Sequence, residues 1–217
     1  MTGGAPGVAP GRRSSLDELR RDLDACRACP LWQRATQAVP GVGDKGAAVM
    51  LVGEQPGDQE DVSGEPFVGP AGRLLDRAMA EAGMNRDQVY VTNAVKHFKW
   101  KPSTRGGKRR LHQRPNHSEV TACRPWLMGE IAAVQPKLVV GLGATAAQSL
   151  LGADWRVSEH RGEVTLGSAG VPVLATVHPS AVLRIRDANE RESSFARLVD
   201  DLARAARVLN PRIGPDR

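Results

Sequence analysis

The chain has 217 residues, of which 41 % are hydrophobic and 25 % are charged, so the sequence suits a globular protein with a substantial core. Lysines and arginines number 30 against 24 aspartates and glutamates, which gives a formal net charge of +6. A basic protein favours polyanionic partners such as nucleic acid, but charge alone does not establish one. No apolar run is long enough to cross a bilayer and residues 1–13 lack the apolar core of a signal peptide, so we expect a cytoplasmic monomer without membrane contact.

Candidate helices and strands alternate along most of the chain. Ser15 and Glu18 have the spacing of a capping box, which favours a helix that begins there. Pro125 lies within a later candidate helix and indicates either a kink or a later start. In chain order, we predict a helix from Ser15, a strand at 47–52, a helix from Gly69, a strand at 89–95, a helix at 118–134, a strand at 137–142, a helix at 143–151, a strand at 173–177 and a helix at 190–208.

This alternation of strands and helices indicates an α/β fold. The expected architecture is a three-layer αβα sandwich with a mostly parallel central sheet. Sheets of this kind bind ligands at the carboxyl ends of their strands. Three stretches of the sequence fall at such ends, at Gly53, at Asn93 and at His178. Their expected convergence predicts a functional site at that edge of the sheet.

The chain is expected to form one domain with a tail on each side. Residues 1–13 are mostly Gly, Pro and Ala and are expected to be disordered, residues 14–209 form the domain, and residues 210–217 form a tail. Within the domain, residues 98–117 show no period and contain seven lysines or arginines, which indicates a long basic loop. Such a loop binds nucleic-acid phosphates or is simply solvated. Its candidate DNA-binding residues are Lys108, Arg109 and Arg110.

Three cysteines require an explanation in a reducing compartment, where disulfides are rare. Cys26 and Cys29 form a C-x-x-C pair, whose spacing allows both thiolates to bind one metal ion or cluster. Cys123 is the remaining cysteine, and His97 and His112 are the nearest candidates for a fourth ligand. From the residues alone, metal binding and plain burial both remain open.

Two motifs and two single residues resemble those of a known family. Gly53-Glu54-Gln55-Pro56-Gly57 matches the first motif of the iron–sulfur uracil-DNA glycosylases, and His178-Pro179-Ser180 with the four residues that follow matches the second. Phe67 and Asn93 match pocket residues between them. The resemblance extends from about Cys26 to the last helix. It implies a uracil-DNA glycosylase-like fold and uracil-containing DNA, single-stranded or double-stranded, as the partner.

The resemblance also implies how a uracil flipped out of the DNA is bound. Phe67 offers a face for the pyrimidine ring, and Asn93 reads the O4 and N3–H edge that distinguishes uracil from cytosine. His178 is expected to donate to uracil O2 as negative charge grows on the departing base, and backbone N–H groups at 55–57 are expected to bind the same oxygen. The other implied substrate-binding residues are Gly53, Pro56, Gly57 and Asp58, with Ser180 and Arg184 as phosphate ligands.

The same family holds a [4Fe–4S] cluster with four cysteines. In this chain the resemblance implies Cys26, Cys29 and Cys123 as ligands, and the third position of the family pattern is occupied by His97. Exchange of a thiolate for a neutral imidazole removes one negative charge, which is expected to raise the reduction potential of the cluster. Zinc would accept the same ligands.

The basic loop resembles a narrower branch, the UdgX-type proteins. The segment from Gly106 to His112 reads G-G-K-R-R-L-H, and it occurs together with G-E-Q-P-G-D and K-H-F-K. In that branch the loop histidine bonds covalently to DNA after uracil has been removed, so His112 is implied as the nucleophile. Leu111 departs from the usual residue at its position. We expect the neighbouring Lys108, Arg109 and Arg110 to disfavour the imidazolium and keep His112 neutral.

Acidic and amide side chains of the first motif complete the expected site. Departure of uracil leaves a positively charged sugar, and Glu54 and Gln55 are assigned either to stabilisation of this cation or to positioning of His112. Asp58 and Asp61 are assigned to ion pairs that orient the basic loop. Two alternatives remain open. One is a conventional glycosylase that turns over, in which His112 only contacts DNA. The other is a nonenzymatic iron–sulfur or zinc module that binds nucleic acid.

Overall fold

The computed structural model describes residues 15–104 and 109–209, so the expected lead at 1–13, the tail at 210–217 and Lys108 lie outside the described residues. The helices of this part are α1 (Leu16–Asp24), α2 (Asp58–Ser63), α3 (Pro70–Glu81), α4 (His117–Val134), α5 (Ala144–Leu151), α6 (Val157–His160), α7 (Pro179–Arg184) and α8 (Ala188–Leu209). The strands are β1 (Val42–Gly43), β2 (Val49–Gly53), β3 (Val89–Asn93), β4 (Trp100–Pro102), β5 (Arg110–His112), β6 (Leu138–Leu142), β7 (Val164–Leu166) and β8 (Pro172–Thr176). Within the described ranges, no helix is both long enough and apolar enough to cross a membrane.

A six-stranded sheet forms the centre of the molecule, in the order β1-β3-β2-β6-β8-β7. The four inner strands pair in parallel, and the short edge strands β1 and β7 pair antiparallel. The register places Gly53 opposite Asn93 and Leu142 opposite Thr176. The carboxyl ends of the inner strands are therefore aligned along one edge, as predicted.

Helices cover both faces of this sheet and form the outer layers of the sandwich. Side chains alternate between the two faces of a strand, so neighbouring residues of β2 enter different cores. Met50 packs in a core with residues of α1, α4 and α5, whereas Leu51 packs with residues of α3, α7 and α8. The predicted α/β sandwich with a mostly parallel sheet is confirmed.

Several boundaries differ from the prediction. Helix α4 begins at His117 because Asn116 and Glu119 form a capping box, so Pro125 lies inside the helix and not near its start. The predicted strand at 89–95 ends at Asn93. The expected structureless basic loop contains a hairpin, in which β4 pairs antiparallel with β5. Short strands of this kind lack the periodicity by which longer strands are recognised in a sequence.

Candidate active site

A cavity of about 710 Å³ lies at the carboxyl edge of the sheet. The loops after β2, β6 and β8 and the hairpin strand β5 all contribute to its wall. Its lining includes Glu54, His112, Arg114, Gly143, His178 and Arg184. The fold therefore brings residues of both matched motifs together with the histidine of the basic loop.

Phe67 and Asn93 meet at Gly53, beside the lined cavity. A methyl group built on Gly53 would lie 2.4 Å from Asn93 Oδ1 and 2.5 Å from Phe67 Cζ, so only glycine allows this approach. Phe67 has a left-handed φ of 58°, and its carbonyl packs so closely on Gly72 of α3 that a side chain there has no space. The Phe67 ring stacks beside His178 with 6.0 Å between ring centroids. Both predicted pocket residues are buried, at 5 % and 2 % exposure.

His178 is neutral, and its hydrogen-bond partners fix its tautomer. Burial, together with the nearby positive charge of Arg184, lowers its pKa from the ordinary 6.5 to about 4. The backbone N–H of Ser180 donates to His178 Nδ1 at 3.1 Å, so Nδ1 is the acceptor and the ring proton lies on Nε2. The hydroxyl of Ser180 contacts the same nitrogen at 2.8 Å and accepts from Arg184. Ser180, expected at a phosphate, therefore also contacts the ring of His178.

The backbone of the first motif offers fewer donors than expected. Pro56 has no N–H, and the N–H of Gly57 donates to Glu60 Oε2 at 3.1 Å at the start of α2. The Gly57 N–H is therefore engaged within the protein, and its expected contact with uracil O2 stays a prediction. Of the stretch 55–57, the backbone N–H of Gln55 is the remaining candidate.

Glu54 lies between two elements of the cavity wall. Its Oε2 accepts a hydrogen bond from the hydroxyl of Thr145 at 2.5 Å, and its Oε1 lies 3.6 Å from His112 Nε2. Arg114 Nε lies 3.9 Å from Oε2. The carboxylate is therefore close to the predicted nucleophile, and Thr145 is a residue of the site that the sequence did not indicate.

Gln55 connects the first motif to the base of the hairpin. Its side-chain amide donates to the carbonyl of Lys99 at 3.2 Å and to that of Gln113 at 3.1 Å, and its oxygen accepts from the N–H of Lys99. Lys99 precedes β4 and Gln113 follows His112. Of the two roles considered for Gln55, this geometry supports positioning of His112.

Arg110 anchors the hairpin to α2. Its guanidinium donates to Asp58 Oδ1 and to Asp61 Oδ2, both at 2.5 Å, and lies over the ring of Phe98. Asp61 is fully buried, and the Arg110 side chain is only 16 % exposed. The ion pairs expected of Asp58 and Asp61 are thus present, whereas Arg110 is occupied inside the protein and does not face solvent as a DNA-binding residue would. Arg109 is exposed.

His112 stands at the cavity mouth with its ring 6.1 Å from that of Phe98. Its side chain is 45 % exposed. Partial burial lowers its pKa below the ordinary value of 6.5; Glu54 opposes this effect and Arg184 adds to it. The residue is therefore neutral at pH 7, as expected, but Arg184 provides the positive charge that Arg109 and Arg110 were expected to provide.

The cysteines and His97 lie apart from the cavity and do not contribute to its lining. Cys26 and Cys123 are buried in one core and Cys29 packs against it, all three as free thiols. The N–H of Lys96 donates to Cys123 Sγ and the indole of Trp126 to Cys26 Sγ, each at 3.2 Å.

Burial shifts the pKa of Cys123 and of His97. It raises the pKa of Cys123 to about 12, against the effect of the Lys96 ammonium. Burial, together with the charge of Arg27, which lies between the first two cysteines in the sequence, lowers the pKa of His97 to about 4. In the part of the chain that the structure describes, no three His, Cys, Asp or Glu side chains are arranged to hold a single metal ion. The four-ligand set stays a prediction.

Comparison with known proteins identifies the family to which the chain belongs. The model of the uracil-DNA glycosylase superfamily matches residues 40–203, and the chain belongs to this superfamily. A type-4 uracil-DNA glycosylase of Archaeoglobus fulgidus is 38 % identical over 85 % of this chain and 92 % of its own length. One of Thermotoga maritima is 34 % identical over 81 % and 86 %, and a type-5 enzyme of Pyrobaculum aerophilum is 33 % identical over 88 % and 85 %.

Proposed function

We propose that this protein excises uracil from DNA and then remains attached to the DNA through a covalent bond between His112 and the sugar. Membership of the superfamily supports excision. One observation carries the proposal of attachment: a neutral histidine on an anchored hairpin directs Nε2 toward Glu54 at 3.6 Å across the mouth of the cavity. A nucleophile and a carboxylate are thereby both available at the mouth of the cavity, where a sugar would lie.

Excision begins with recognition of a flipped base. The proposed pocket stacks the pyrimidine on Phe67 and reads its O4 and N3–H edge with Asn93. His178 carries its ring proton on Nε2, so that nitrogen is able to donate to uracil O2. The negative charge on uracil grows as the C1′–N1 bond breaks. A donor that is already oriented stabilises this charge without reorganisation.

Capture follows from the cation that excision leaves. The electron pair of the C1′–N1 bond departs with uracil, and positive charge develops at C1′, where the carboxylate of Glu54 stabilises it. The lone pair of His112 Nε2 then forms a bond to C1′. The alkylated imidazolium releases its Nδ1 proton to solvent, and the uracil anion takes up a proton. Because a neutral alkylimidazole is a poor leaving group, one protein molecule reacts once.

A second function has an observation in its favour. The relatives described above are named type-4 and type-5 uracil-DNA glycosylases, and these names denote base excision without mention of covalent attachment to DNA. In that case an activated water attacks C1′ and His112 only contacts DNA. Free uracil in molar excess over protein distinguishes this enzyme from one that reacts once.

We also propose that Cys26, Cys29, His97 and Cys123 hold a [4Fe–4S] cluster. The donor set suits it, because three free thiols share one buried region and two of their sulfurs already accept N–H bonds. When bound, the cluster would act as a structural crosslink between the N-terminal segment, the turn after β3 and helix α4. Base excision requires no electron, so the proposed reaction uses only protein side chains.

The proposed capture is tested on a denaturing gel. Wild-type protein, His112→Ala and the control His160→Ala, which changes an exposed histidine elsewhere, are mixed with labelled oligonucleotides that contain either uracil or thymine. We expect a boiling-resistant band with uracil for the wild type and His160→Ala, and none for His112→Ala. Alkali cleavage at uracil without a shifted band would establish the conventional enzyme. If neither a shifted band nor cleavage is found, the remaining alternative is a nonenzymatic binding module.

The proposed cluster is tested by absorbance and metal analysis. An iron–sulfur chromophore absorbs at roughly 400 nm, whereas zinc is colourless there. We expect His97→Ala to change or lose this band while His160→Ala retains it. An unchanged spectrum in His97→Ala would show that His97 is not a ligand, and a colourless protein that contains zinc would exclude the cluster.

A further inference from the structure

We infer that Thr145 is a positioning residue that fixes the carboxylate of Glu54 against His112. This inference rests on the proposed function, because it assigns the orientation of a group within that site. Thr145 lies in the first turn of α5 and is only 4 % exposed. It is 91 positions from Glu54 in the sequence, yet its hydroxyl lies 2.5 Å from Glu54 Oε2.

The direction of the Thr145 hydroxyl proton follows from its two partners. Arg114 Nε donates to Thr145 Oγ1 at 3.2 Å, and a guanidinium has no acceptor. Thr145 must therefore accept from Arg114 and give its single proton to Glu54 Oε2. The two hydrogen bonds of the hydroxyl therefore have only one possible direction, from the Arg114 guanidinium to the hydroxyl and from the hydroxyl to the Glu54 carboxylate.

This hydrogen bond determines which carboxylate oxygen faces the reaction. With Oε2 held by Thr145, Oε1 is the oxygen that lies 3.6 Å from His112 Nε2. Arg114 competes for the same carboxylate, since its Nε is 3.9 Å from Oε2 and its side chain is 62 % exposed. Without the hydroxyl, a direct ion pair with Arg114 would draw the carboxylate toward solvent and away from the sugar.

The start of α5 is a rigid base for this task. Gly143 precedes the helix with a φ of 87°, and a methyl group there would lie 2.9 Å from His178 Cβ. The first turn of α5 is therefore packed against the loop that carries His178. Side chains on such an element hold reactive groups more accurately than side chains on free loops. Thr145 thus sets Glu54 relative to both histidines of the site.

The test compares Thr145→Val, which keeps the shape without the hydroxyl, with Thr145→Ser, which keeps the hydroxyl. Single-turnover rates of uracil release and of capture are measured, and the affinity for uracil-containing DNA is measured in a His112→Ala background. We expect Thr145→Val to lower both rates about 10- to 100-fold, as the loss of a hydrogen bond to a charged group does. Affinity should change less than about twofold, and Thr145→Ser should retain the wild-type rates.

A double-mutant cycle separates positioning from a general structural effect. In a Glu54→Gln background, whose residual rates are followed over long incubations, Thr145→Val should cause little further loss. Full additivity of the two changes, or wild-type rates in Thr145→Val, would overturn the inference while the wild type still captures DNA. A wild type that releases uracil without capture would overturn the proposed attachment, and the rates of uracil release would still test Thr145.

Discussion

In the proposed reaction, two histidines of the cavity have opposite roles, and each role requires a neutral ring. His178 has a pKa of about 4 and carries its ring proton on Nε2, so it would act as a donor to the base. His112 has a pKa below 6.5 and must offer a lone pair to the sugar. Arg184 lowers the pKa of both rings. The positive charge of Arg184 therefore favours the neutral form of both His112 and His178.

We predict that capture depends on pH with a midpoint below 6.5. Protonated His112 has no lone pair on Nε2, so the capture rate should be level above pH 7 and should fall on the acid side as the ring gains its proton. Arg184→Gln should move the midpoint upward, because it removes a charge that disfavours the imidazolium. Arg191→Gln, on α8, is the control. A midpoint above 6.5 in the wild type would contradict this account of His112.

We predict that Gly53→Ala impairs uracil release. The added methyl group would lie 2.4 Å from Asn93 Oδ1 and 2.5 Å from Phe67 Cζ, so the two recognition residues must separate. Misplacement on this scale costs on the order of 100-fold in rate. Gly46→Ala is the matched control, since its nearest contact would be 3.9 Å away. Equal single-turnover release by the two variants would show that the approach at Gly53 is not needed for recognition.

Among single residues, the sequence indicates those that belong to motifs. It misses those that reach the site only because the fold brings distant segments together. Glu54 and His178 belong to motif stretches, so the sequence indicates them without a structure. Thr145 begins an ordinary helix, and its hydrogen bond to Glu54 exists only because β2 and β6 are neighbours in the sheet. The engagement of the Gly57 N–H with Glu60 is likewise a product of the local turn.

The β4–β5 hairpin is the element that carries His112. Its strands place Trp100 opposite His112, so the predicted nucleophile lies on paired backbone and not in a loose loop. Gln55 holds its base through three hydrogen bonds, and Arg110 holds its side against α2. A histidine fixed in this way keeps its distance to Glu54.

We predict that Arg110→Gln separates capture from excision. Glutamine cannot reach both Asp58 and Asp61, so the hairpin should lose its anchor and His112 its position, which lowers the capture rate on the order of 100-fold. Uracil release should fall much less, because His178 and Asn93 do not depend on this anchor. The measurement is the ratio of conjugate to released uracil, with the exposed Arg109→Gln as the control. If capture and release fall in parallel, the hairpin does not act through His112 alone.

The parallel strands are predictable because each is a short apolar run bounded by turn residues, as at 49–53. The hairpin is not predictable in this way, because strands of only three residues are too short to show alternation and their pairing depends on contacts with α2 and Gln55. The edge strands β1 and β7 are too short to give a pattern. Tertiary contacts thus determine the elements that sequence analysis misses.

At the scale of the molecule, a buried ion pair connects the cavity with the cysteine region. Lys96 is fully buried, and its ammonium donates to Glu130 Oε2 at 2.6 Å, to Thr92 Oγ1 at 2.6 Å and to the carbonyl of Asn93 at 2.8 Å. Its backbone N–H donates to Cys123 Sγ. The same residue therefore supports the turn that bears Asn93 on one side and His97 on the other.

We predict that Lys96→Met destabilises the protein by about 3–5 kcal/mol, because it leaves Glu130 buried without its counter-charge. Lys96→Met combined with Glu130→Gln should recover part of this loss. Lys45→Met, which removes an exposed ion pair with Asp17, should change stability little. Urea unfolding measures the free energy of each variant. If the free energy of unfolding of Lys96→Met equals that of Lys45→Met, the ion pair between Lys96 and Glu130 does not stabilise the fold.

Covalent capture by His112 is tested by the mass of the intact protein after reaction with a short oligonucleotide that contains one uracil. Without any reducing agent, we expect the protein mass to increase by the mass of the oligonucleotide less uracil, and the modified fragment to contain His112. An unmodified protein beside DNA that has lost uracil would contradict it. So would an adduct on a lysine that persists only after reduction, because that chemistry belongs to an abasic aldehyde and not to attack on C1′ by an imidazole.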